Sequence, residues 1–411
     1  MRWQCSGQPK RCDMDRKMWR LSVNLLLALL KLALGSLLGL LTLEATLRAN
    51  PTLLLHGIAA PSPLDRPVTI QTYDVRYSDA DVFYWHRRYI RPIPAESDRI
   101  ESHVRFETDE LGFPNPAPAP AQANVVILGR SFSLGAQAEY PWPRLLAEQG
   151  FKVVNLSQSG TNIDVKLDYL RNFGFPRRPQ WVVLEVLPSM DVIGYGPETN
   201  WLVERVTFAM IRLVARKDVG ADSAEPVTDP IYPLPLDIPG QTFSANFYLG
   251  YLAALSVSRE QLITSPQWVA YQSGVLALVH EAREQGACVA LLYAPTKESI
   301  YVPLALKPAQ LDRALDGWFP IALNDIGQLT ETPGARGDVH TMQVNATAGR
   351  DLIAQFAHDH DLPFIDPTPQ MTQAALSGDK PFMVYDSHWS TTGHHLVARL
   401  VGETLRQSAC P

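Results

Sequence analysis

The stretch NVVILGRSFSLG, residues 124–135, decides the fold. An apolar run rich in β-branched residues stops at Gly129, polar residues follow, and PWPRLLAEQG (141–150) then reads as a helix. A short, continuously apolar run bounded by a glycine fits a strand buried on both faces. Four more runs repeat it: FKVVNL (151–156), WVVLEVL (181–187), ACVALLY (287–293) and LPFID (362–366). Helical stretches separate several of them, notably 265–286 and 346–361, and HLVARLVGETL (395–405) forms the final helix. Strands alternating with helices imply a parallel sheet covered on both faces. The expectation is a flavodoxin-like three-layer α/β/α sandwich of about five parallel strands over residues 122–411.

Outward from this core the pattern changes. Between the third and fourth strands lie about a hundred residues that the simple fold does not require. The insertion, 194–260, has the Pro-rich middle DSAEPVTDPIYPLPLDIPGQ and reads equally as a wall of the substrate cleft or as a surface loop. Upstream, residues 44–121 read as an irregular Pro-rich, aromatic segment ending in an Ala-Pro connector. Residues 21–43 contain thirteen leucines and one charge, Lys31. Twenty-three helical residues rise roughly 35 Å, enough to cross a hydrocarbon core. Lys31 costs about 2.5–3.5 kcal/mol there, which the leucines at roughly −0.5 kcal/mol each offset. The first twenty residues carry six Arg/Lys against two Asp. The expected topology is therefore a basic cytoplasmic N-terminus (1–20), a single anchor in the bilayer (21–43) and the rest of the chain outside, with a cleaved signal peptide and an amphipathic surface helix as the alternatives.

Composition excludes several classes. With 46% hydrophobic and 19% charged residues and no low-complexity tract, the chain is not disordered. A net charge of −6 argues against a general nucleic-acid partner. Cys5 and Cys12 fall on the inferred cytoplasmic side. Cys288, inside a strand, is expected as a packed thiol, with a bridge to Cys410 as the alternative.

In such sheets ligands lie beyond the C-terminal strand ends. Ser131 leaves the first strand there, where a hydroxyl can face the cleft and helix-entry amides can stabilise an oxyanion; a plain helix cap is the competing reading. YDSHWSTTGH (385–394), after the last strand, supplies Asp386 and His388, close enough for the carboxylate to fix the imidazole tautomer. His388 could then take the Ser131 proton.

Over roughly residues 100–408 the chain resembles the SGNH/GDSL hydrolases, especially the membrane-anchored, periplasm-facing type related to alginate O-acetylation proteins. GRSFSLG resembles the GDSFxxG first block and NLSQSG (155–160) the second. YDSHW followed by GH resembles the last, and APTKESIYVP (294–303) a segment of the polysaccharide acetylation proteins. The resemblance implies Ser131 as nucleophile, Asp386 and His388 as its partners, and the Ser131 and Gly160 amides in the oxyanion hole. Two blocks depart from the pattern. Arg130 replaces the first-block aspartate, and Met190 stands where the third block has an oxyanion-binding asparagine, for which Asn162 is a geometric substitute. Arg130, Lys297 and Trp389 are expected near the substrate, and His394 as structural.

No cofactor or metal is expected: GxxxxGK[ST], a strand-linked GxGxxG, HExxH and GxSxG are all missing, and His358-Asp359-His360 reads as a solvated helix end. The leading expectation is an esterase or O-acyltransferase held at a bacterial inner membrane and acting on ester groups of an exported polysaccharide. The alternatives are an impaired scaffold or binding protein of an exopolysaccharide assembly, and a lipid or thioester hydrolase.

Overall fold

The computed structural model describes residues 70–76, 100–193, 234–245, 247, 249–316, 338–384 and 386–410, with scattered helical positions between 27 and 42. Most of the expected membrane span, the cytoplasmic flank and most of the insertion thus lie outside the described residues. Among the described residues no helix is long and apolar enough to cross a membrane. Everything described from Ile70 onward belongs to one compact unit.

Five parallel strands form the central sheet: β3 (Val125–Leu128), β4 (Val153–Asn155), β5 (Trp181–Val186), β8 (Cys288–Tyr293) and β9 (Phe364–Ile365). They correspond one to one with the five apolar runs. Their spatial order is β4-β3-β5-β8-β9. The chain steps from β3 outward to β4, then crosses back to β5 on the other side. That reversal opens a crevice beyond the C-terminal ends of β3 and β5, where such sheets place their ligands. Every residue of β3 and β5 is buried. Each fully buried Val, Leu or Ile there contributes roughly 1.5–3 kcal/mol.

The helices that matter for the site are α1 (Ser131–Leu134), α2 (Trp142–Glu148), α3 (Ile163–Tyr169), α4 (Pro266–Glu284), α5 (Lys297–Leu304) and α6 (Thr391–Gln407). Ser265 caps α4 by accepting from the Trp268 amide at 3.1 Å, and Pro266 occupies its first position. The helix buries Trp268, Tyr271, Val275, Leu278, Val279 and Ala282, one stripe at helical spacing. Helix α6 starts at a Ser390 cap and lays His394, Val397, Ala398, Val401 and Leu405 inward, packed against α2.

Three features depart from expectation. The segment expected to be irregular contains an antiparallel hairpin, β1 (Ile70–Arg76) with β2 (Ile100–Glu107). The next residues are fixed as well: Asp109 accepts from Asn115 Nδ2, which also donates to the Asn155 carbonyl at the end of β4. Within the insertion lies a second hairpin, β6 (Leu234–Ile238) with β7 (Gln241–Ala245), whose Leu236, Ile238 and Ala245 join the main core. Lastly, Cys288 is not a packed thiol. It is bonded to Cys410, with Cα atoms 5.7 Å apart and a sequence separation of 122. Closing so long a loop stabilises the fold by about 2–5 kcal/mol in the chain-entropy account.

Candidate active site

The turn after β3 is built around a buried carboxylate. Glu185, near the end of β5, accepts the amides of Arg130 at 3.1 Å and Ser133 at 2.7 Å, so it pins both sides of Ser131. A Cβ on Gly129 would lie 2.5 Å from the Ser133 Cβ and 2.7 Å from Glu185 Oε2, which is why this position must be glycine.

Beneath the turn Arg130, Lys166, Glu185 and Asp191 form a buried charge network. Asp191 Oδ1 lies 2.8 Å from Arg130 Nε and 3.3 Å from Lys166 Nζ, and its Oδ2 accepts the Leu187 amide at 2.8 Å. Lys166 Nζ also donates to the Glu185 carbonyl at 3.2 Å. Burial pushes the Glu185 carboxyl up and the Lys166 ammonium down. Burial acts on Asp191 too, but Arg130 and Lys166 outweigh it and hold that carboxyl below its ordinary range. Arg130, expected beside the substrate, is turned into this floor, with Nε on Asp191 and Nη2 donating to the Met190 carbonyl at 3.3 Å.

Asp386 and His388 meet as their spacing suggests. Asp386 Oδ1 lies 2.5 Å from His388 Nδ1 and accepts the His388 amide at 2.8 Å. Burial opposes ionisation of Asp386, but His388 and Lys297 prevail and keep its pKa low. With Nδ1–H donated to a carboxylate, Nε2 is the basic nitrogen of the neutral ring. The imidazole packs on Phe132, ring centroids 4.9 Å apart, and Phe132 directly follows Ser131. The sheet edge therefore gathers a serine turn and a carboxylate-oriented imidazole from opposite ends of the sequence.

Two further expected substrate contacts are corrected. Lys297 has no solvent exposure, and its Nζ donates to the Val384 and Asp386 carbonyls at 3.1 and 2.6 Å. Trp389 is equally buried, with Nε1 donating to the Pro295 carbonyl at 3.1 Å and its ring against Phe132. Neither side chain reaches a ligand from there.

Gly160 sits in the exposed turn between β4 and α3 at φ 76°, with open space where a Cβ would be. That turn is tied to the serine loop, since the Gly129 carbonyl accepts from the Gln158 amide at 3.1 Å and from Thr161 Oγ1 at 3.2 Å. Asn162 caps α3 by accepting the Val165 amide at 3.0 Å, so its Nδ2 is the group a donor role would use. Met190 packs its half-buried side chain on the core. His358 and Asp359 are exposed and adjacent, and the described residues hold no group of three or more His, Cys, Asp or Glu placed for a metal.

His394 is structural. Its Nδ1 accepts the Trp142 amide at 3.2 Å, and burial pushes its pKa down to about 3. A folded pKa below the unfolded value of about 6.5 means that stability is full above pH ~6.5 and falls as the pH drops toward 3. In a melting-temperature series from pH 7 to 4, His394→Gln, whose amide oxygen can still accept from Trp142, is expected to remove up to about 1.4 kcal/mol per pH unit of this acid sensitivity.

No protein-family model matches the chain, and no curated protein does. Solved structures similar to it include a catalytic mutant of an acetylxylan esterase from Geobacillus stearothermophilus, at 12% identity over 70% of this chain and 95% of that one, TM-score 0.34. A GDSL-like lipase from Bacteroides thetaiotaomicron is 12% identical over 69% and 88%, TM-score 0.32. An acetyl xylan esterase is 13% identical over 68% and 99%, TM-score 0.33. The site therefore rests on this chain's own residues.

Proposed function

We propose that the chain is a serine-dependent esterase or O-acyltransferase of the SGNH type, anchored at the bacterial inner membrane and acting on ester groups of an exported polysaccharide in the periplasm. The carrying observation is the 2.5 Å Asp386–His388 contact, with the imidazole packed on the residue next to Ser131. Ser131 Oγ attacks the acyl carbonyl and passes its proton to His388 Nε2. The Ser131 and Gly160 amides, with Asn162 Nδ2 in place of the missing third-block asparagine, stabilise the oxyanion. Collapse expels the alcohol, protonated by His388, and leaves an acyl-serine. Water then releases the acid, or a sugar hydroxyl takes the acyl group. Periplasmic placement draws on the basic flank of the 21–43 span and on the Cys288–Cys410 bond, a modification of oxidising compartments. The polysaccharide substrate draws on the sequence resemblance.

A fluorophosphonate probe on the full chain in detergent is the test. Modification at Ser131 that vanishes in Ser131→Ala and His388→Ala is expected, and folded protein that stays unlabelled would overturn catalysis. A second reading, a non-catalytic scaffold of an exopolysaccharide assembly, is favoured by Met190 at the oxyanion position. It predicts that Ser131→Ala leaves the cellular phenotype intact at normal protein abundance.

A further inference from the structure

The loop that carries Asp386 is gripped by two charged side chains distant in sequence. Glu101, on β2, accepts the Val384 amide on Oε1 at 2.6 Å and the Asp386 amide on Oε2 at 3.1 Å. Lys297, at the start of α5, donates Nζ to the carbonyls of the same two residues. One carboxylate thus takes both amides, and one ammonium both carbonyls.

Glu101 is placed by an irregularity in the hairpin. Val75 pairs with Ser102 and Arg76 with Ile100, so Glu101 is the extra residue of a β-bulge. Bulges re-aim a side chain, and they recur beside active sites. The hairpin is also held against the loop by packing, because Val104 and Met383 are both buried and share one apolar cluster with Phe106. The loop closes on itself through the Met383 amide on the His388 carbonyl at 3.0 Å and a bridge between Phe382 and Trp389. With the amides and carbonyls of residues 384 and 386 all engaged, the Asp386 carboxylate has little freedom to leave the imidazole.

We propose that Glu101 and Lys297 are positioning residues that set the Asp386–His388 geometry through the backbone of residues 384–386, making the β1–β2 hairpin a working part of the site. This inference rests on the esterase reading for its rate arm and stands apart from it in its spectroscopic arm.

The test uses the full chain in detergent with Glu101→Gln, Lys297→Met and Asp386→Asn, each first checked by thermal melting. Glu101→Gln keeps the shape of a half-buried side chain but can accept only one of the two amides. Its rate of fluorophosphonate labelling at Ser131 is expected to fall 10–100-fold, the scale of a small misplacement in a catalytic constellation. In an Asp386→Asn background the same substitution should cost no more than about 2-fold, because both act through one carboxylate; a purely structural defect would multiply through. Labelling of Glu101→Gln within about 2-fold of wild type, or full multiplication in the double variant, overturns the proposal. Independently, the downfield proton NMR signal of His388 Nδ1–H, assigned by its loss in His388→Gln, should be present in wild type and lost or broadened in Glu101→Gln. If wild type resists the probe, the esterase reading fails and this signal alone decides: its persistence in Glu101→Gln refutes the clamp, and its loss upholds it. Lys297→Met should reproduce the Glu101→Gln behaviour in both readouts, provided it folds.

Discussion

Asp386→Asn is expected to lower the rate of Ser131 labelling by on the order of 10⁴-fold while the protein melts close to wild type. The reason lies in one oxygen. Asp386 Oδ1 receives both the His388 amide and Nδ1–H, so the ring is held in the tautomer whose Nε2 is basic. An asparagine can turn its NH2 toward Nδ1, which puts the ring proton on Nε2 and removes the base. Even in the other orientation the anion that stabilises an imidazolium is gone. Labelling that falls less than about 10-fold would mean that His388 is not the base for Ser131, since carboxylate orientation is worth several orders of magnitude in this arrangement.

Asp191→Ala is expected to destabilise the fold by about 3–5 kcal/mol, the usual cost of removing one partner from a buried ion pair. Asp191 is fully buried and pairs with both Arg130 and Lys166; without it the remaining carboxylate beside them among the described residues is Glu185, already engaged by two amides. A drop in melting temperature on the order of 5–15 °C at pH 7 is the expected readout. The pH dependence has a definite sign. The folded pKa of Asp191 lies below its unfolded value, so its contribution is complete above pH ~4 and is lost as the pH falls through the folded pKa. The gap between wild type and Asp191→Ala should therefore hold from pH 7 to about 4 and narrow below that. A shift under about 1 kcal/mol at pH 7 would mean that water reaches the network and relieves the cations.

Much of this architecture was readable in advance because it is encoded over short distances. Strands buried on both faces must be continuously apolar, and all five were visible as such runs. Ser131 follows a strand-ending glycine, and Asp386 and His388 sit two residues apart, so their placement was legible from local spacing, while the roles proposed for them draw on the resemblance. The charge network left a fainter trace: Glu185 is the lone carboxylate within WVVLEVL, and a charge in a buried strand requires a partner. Nothing local marks Glu101. Its partners lie 283 and 285 residues away, and β1 is separated from β2 by residues 77–99 instead of a short turn.

Periodicity and spacing belong to single elements, so strands, helices and the Asp-x-His pair are settled by nearest-neighbour chemistry before the chain folds. Which distant side chains meet depends on how all the elements pack together. Lys297 and Trp389 read as substrate contacts, yet sheet and helix packing buried both and turned Lys297 to the backbone of the Asp386 loop and Trp389 into the core. Cys288 sits in a strand like any packed thiol, and only the path of the C-terminus past β8 brings Cys410 to it. Arg130 stands beside the serine in sequence, but a buried Asp191 drew it into the floor, because an unpaired carboxylate there would cost more than an exposed arginine gains.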